Sequence, residues 1–72
     1  MDNNEKNKTL PNQTEAFATV SAIMQAVNAM GANDYEMKAL ERILIELQRG
    51  DVTPWEAIVQ AERIKDSKQD YH

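Results

Sequence analysis

The chain has no cysteine, one histidine, two glycines, two prolines and four aromatic residues. Without cysteine there can be no disulfide, no thiolate metal ligand and no thiol nucleophile. The one histidine is His72, the final residue of the sequence, where ordering is least expected. A serine or threonine nucleophile therefore lacks the base it is usually paired with. The glycines, Gly31 and Gly50, stand far apart, so no phosphate-cradling loop can form. The carboxylates do not follow a calcium-loop spacing, and no histidine pair exists for a transition metal. Glu41, Glu46, Glu62 and Asp66 fall on expected solvent faces among Lys38, Arg42, Arg49 and Lys65. That is ordinary surface charge rather than a two-carboxylate site. The chain reads as a non-enzyme, with no cofactor and no metal.

Twelve acidic and eight basic residues give a net charge of −4. This suits solubility and mildly disfavours nucleic acid and anionic membranes as partners. At 72 residues the chain makes one domain. A domain of this size buries only ~60% of its unfolded surface, so its stability is marginal unless association supplements the core. Residues 1–12 are polar and lack the apolar segment of a secretory signal, which makes a cytoplasmic location the default expectation.

What the chain does contain is helix punctuation. In the stretch Gly50-Asp51-Val52-Thr53-Pro54-Trp55-Glu56, Gly50 suits the left-handed position past a helix end. Thr53 can cap the next helix, with Pro54 at its first position. Glu56 has the spacing to reach back to the Thr53 N–H. Asn12 with Glu15, and Asn33 with Glu36, repeat the same signature. These signals predict an all-α fold, a small three-helix bundle with helices near 13–30, 34–49 and 54–67. The first 12 residues, MDNNEKNKTLPN, include four Asn and are expected to form a flexible tail, or a segment that folds on a partner. Residues 13–67 form the helical domain, and 68–72 are expected to fray as periodicity is lost.

The first helix carries no charge over the eighteen residues from Ala16 to Asn33. Thr19, Ser21, Gln25 and Asn28, the lack of Leu and the high Ala content argue against a membrane span. The polar stripe also lacks the Lys and Arg of an interfacial helix. Val20, Ile23, Val27 and Met30, flanked by Phe17 and Met24, form a stripe able to bury against the other helices. Beside it runs a stripe of Ala18, Ala22, Ala26 and Ala29, which permits close helix approach and is the candidate homodimer face. The second helix offers Met37, Leu40, Ile43, Leu44 and Leu47 to the core, and the third offers Ala57, Ile58, Ala61 and Ile64.

Outside these stripes, Tyr35, Arg42, Ile45 and Arg49 share the outer face of the second helix, and Trp55 and Val59 extend the apolar side of the third. Tyr, Trp and Arg dominate binding energy at protein interfaces, so these six are the candidate interaction residues. The expected function is a small interaction or regulatory module, partnered by itself as a homodimer, by an unidentified protein, or both. One alternative is a DNA-binding regulator using the second and third helices as a helix-turn-helix. It would have to read bases with Thr53, Pro54, Trp55 and Glu56, a poor set beside phosphates. The other alternative is a structural subunit of a larger assembly. The run LERILIELQRGDVTPWEAI reads as a helical hairpin, which specifies no activity.

Overall fold

The computed structural model describes residues 11–70, and side chains from Pro11 to Lys68. The expected tail therefore lies outside the described residues except for Pro11 and Asn12, as do Tyr71 and His72. Three helices follow in order: α1 (Gln13–Ala29), α2 (Asp34–Arg49) and α3 (Pro54–Asp70). All three pack on one another. No strand occurs among the described residues, so the chain is an all-α three-helix bundle.

Each boundary has a local cause. Asn12 Oδ1 accepts the Glu15 N–H at 2.7 Å, and Glu15 Oε1 accepts the Asn12 N–H at 3.2 Å. Asn33 and Glu36 make the same reciprocal pair at 2.8 and 3.0 Å. A cap of this kind stabilises a helix by ~1 kcal/mol. At the end of α2, Gly50 adopts φ +80°; the Asp51 N–H reaches Glu46 O at 2.8 Å and the Gly50 N–H reaches Leu47 O at 3.2 Å. These two bonds form a Schellman motif, which uses carbonyls the helix leaves unpaired.

The third cap departs from expectation. Thr53 Oγ1 accepts the Glu56 N–H at 3.1 Å, but Glu56 does not return the bond. Its carboxylate instead faces Gln60 Nε2 at 3.5 Å, because that amide one turn on competes for it. The far end of α3 also runs past the expected stop at 67, continuing helical to Asp70 in the segment expected to fray. A tertiary contact explains the extension: Lys68 Nζ donates to Gly31 O at 3.0 Å and pairs with Glu36 Oε1 at 3.2 Å.

The core is small. Ala16, Val20, Ile23 and Val27 of α1 meet Leu40, Ile43 and Leu47 of α2 and Ala57 and Ala61 of α3. On α3 the two alanines hold the contact line and are fully buried, while Ile58 and Ile64 flank it half-buried. Small side chains there let α3 approach α1 closely, so the isoleucines pack at the edges. Met37 and Leu44 are likewise only half-buried. Met30, placed by its spacing in the buried stripe, is 39% exposed because α1 ends one residue before it. No polar or charged side chain is buried among the described residues.

Candidate interaction surface

With the core stripe of α1 turned inward, the opposite face of that helix meets solvent. Ala18, Ala22, Ala26 and Ala29 are all exposed, as are Thr14, Gln25 and Asn28, and Ser21 is half-buried. The result is a helix surface that carries the exposed Glu15 in its first turn and no charge from there to its end. Its hydrophobic content is only methyl groups, since the larger side chains of α1 are spent in the core.

The six interaction candidates lie on α2 and α3. Tyr35 is 81% exposed, Trp55 53% and Ile45 50%; with Met30 they are the large exposed hydrophobics among the described residues. Arg42 and Arg49 are exposed and Val59 is half-buried. Arg49 Nε lies 3.8 Å from Asp51 Oδ2, with both side chains mostly exposed, so this pair adds little stability.

Two of the six, Tyr35 and Arg42, line an open groove of about 440 Å³ between α2 and α3. The other α2 residues lining it are Lys38, Ala39, Ile43 and Glu46, and α3 supplies Gln60, Arg63 and Ile64. Ala39, Ile43 and Ile64 give an apolar floor. Lys38, Arg42 and Arg63 make the rim basic, with Glu46 the one carboxylate lining it. The groove is locally positive although the net charge of the chain is −4. Ile45, Arg49, Trp55 and Val59 do not line it; at about 100° per residue, Trp55 and Val59 fall on the outer face of α3.

The sequence reading did not single out Lys38, Ala39, Glu46, Gln60, Arg63 or Ile64 as a set. Their assembly depends on how two helices pack, which spacing along either helix does not encode. A second hollow, lined by Gln13, Thr14, Phe17, Ala18 and Gln48, sits where α1 begins beside the end of α2. There Gln13 Nε2 donates to Leu47 O at 2.7 Å, a second hydrogen bond to the carbonyl that also accepts the Gly50 N–H at the end of α2. That makes Gln13 a structural clamp, which nothing local in the sequence signals.

Among the described residues, no three acidic or histidine side chains converge as a metal ion would require. No helix among them is long and apolar enough to cross a membrane. No protein-family model, curated protein or solved structure matches this chain significantly.

Proposed function

We propose that the chain is a non-catalytic helical interaction module that works by covering or bridging a protein surface with exposed helix faces. The observation that carries this reading is the exposure of Tyr35, Ile45 and Trp55 on a folded chain whose core, among the described residues, takes in nine. Single exposed hydrophobics are common, but Tyr and Trp are the residue types that carry most binding energy at interfaces. The outer face of α1, uncharged beyond Glu15 in its first turn, supports the same reading, because a partner can approach most of it without stripping water from a charge.

Sedimentation equilibrium of wild type, Ile45→Asp and Trp55→Ala, with helicity followed by circular dichroism, tests the proposal. Both variants are expected to associate more weakly while keeping their helical content. Loss of helicity in either would assign that side chain to the fold rather than to an interface.

A further inference from the structure

On the outer face of α3, Trp55, Val59, Glu62 and Asp66 follow one another at four-, three- and four-residue steps, a single stripe along the helix. Its first half is apolar and its second half acidic. Glu62 and Asp66 are exposed and lie one turn apart, a like-charge spacing that is mildly unfavourable in an isolated helix. Lys38 and Arg42, on the rim of the groove, repeat this arrangement with the opposite sign. Asp34 and Glu46 lie one turn to either side of them, and Arg63 lies one turn before Asp66. Yet the ion pairs formed among the described residues are Arg49 with Asp51 and Lys68 with Glu36. Among the described residues, these two like-charged patches of opposite sign thus make no ion pair, and each lies beside exposed apolar area.

We infer that the groove between α2 and α3 receives the Trp55–Val59–Glu62–Asp66 stripe of a second copy of this chain. The inference rests on the reading of the chain as an association module and assigns its self-contact to this face rather than to the alanines of α1. The apolar half of the stripe lies against Tyr35, Ala39 and Ile64, and the carboxylates meet the basic rim. Charge complementarity selects this occupant, since each patch supplies what the other lacks. The α1 face offers methyl groups alone, which release little apolar area on contact. Arg63 lies one turn from both Val59 and Asp66, so stripe and groove border each other on α3. A two-fold axis beside Arg63 lets each copy fill the other's groove, which closes the pair instead of building a filament.

Charge reversal tests the contact. Arg42→Glu with Arg63→Glu takes the net charge from −4 to −8, and Glu62→Arg with Asp66→Arg takes it to zero. If only overall repulsion mattered, the first pair would weaken dimerisation and the second would strengthen it. The docked stripe instead requires both to raise the dimer Kd by about tenfold or more. The four reversals together restore the net charge of −4 and should restore the dimer. All four residues are exposed, and circular dichroism checks that each variant stays folded.

Trp55 is the only tryptophan, so its emission should shift to the blue as wild type is concentrated, and the shift should be lost in either double variant. A wild type that stays monomeric at every concentration overturns the inference, and so does a fourfold variant that fails to re-form the pair. A dimer that ignores both reversals but is broken by Ala22→Arg would place self-contact on α1. That outcome would overturn the groove assignment while leaving the interaction-module reading intact.

Discussion

Lys68 Nζ sits 3.2 Å from Glu36 Oε1 and 3.0 Å from Gly31 O, joining the last turns of α3 to the turn between α1 and α2. One ammonium thereby satisfies the carbonyl of a residue in a left-handed turn and the carboxylate of a capping box. The contact links helix ends that sequence places 37 and 32 positions apart. It also explains why α3 stays helical where its own periodicity has run out.

Removing that ammonium should therefore act locally. In Lys68→Met the stem can still pack but nothing reaches Gly31 O. Amide exchange from residue 66 to 70 is expected to quicken, with little change at Leu40 or Val20. Unchanged protection over those last residues would mean that α3 holds its end by other contacts.

Glu36 gives the chain a specific response to acid. The Asn33 N–H lowers its pKa from the ordinary 4.5; desolvation opposes this in part, and the hydrogen bond and charge of Lys68, each a smaller effect, lower it further. Between the folded and unfolded pKa values, the unfolded chain binds more protons, so stability rises with pH there. The contribution is present in full above the unfolded value and is lost as pH falls through the folded one. Melting temperatures of wild type and Glu36→Gln from about pH 6 to about pH 3 would isolate it, because glutamine keeps the cap but not the charge. The variant should lose less stability than wild type on the acid side. Parallel acid limbs would show that Glu36 does not contribute to this response.

Gly50 is held at φ +80° with nothing within 4 Å of where a Cβ would stand. The cost of a side chain there is conformational rather than a clash with a neighbour. Gly50→Ala should lose ~1–2 kcal/mol in urea titrations, the penalty of the left-handed region for an ordinary residue. Gly50→Asn should lose less, since its side chain tolerates that region. Equal losses for both would argue that Gly50 matters for some other reason.

How much of the molecule could be read from its sequence follows from where the signals reside. The start of each helix is written in the chain within four residues, as with Asn12 and Glu15 or Asn33 and Glu36, so those boundaries emerged as expected. The core stripe of α2 was legible because its polar residues stand opposite. The end of α3 was not, because Lys68 is held by partners that are distant in sequence. The basic groove was hidden for the same reason: Lys38 and Arg42 look like surface charge until Arg63 is packed beside them. Tyr35, Ile45 and Trp55 are legible from residue type and position, because they lie off the core stripes and stay exposed.

Alanine is where sequence is least able to separate packing from helix propensity, and this gives the sharpest contrast. Ala22 and Ala61 both lie at helix midpoints with alanines at four-residue spacing, yet Ala22 is exposed and Ala61 is fully buried. Ala61 sits on the contact line of α3, where extra methylenes would force α1 away or twist neighbouring side chains off their rotamers. Ala61→Leu should therefore cost ~1–3 kcal/mol in a urea titration. Ala22→Leu, on the open face of α1, should stay within about 0.5 kcal/mol of wild type at concentrations where the chain is monomeric. If the two variants lost the same stability, the close approach of α1 and α3 through their small residues would be wrong. If Ala22→Leu alone altered association, the neutral face of α1 would become the contact between copies.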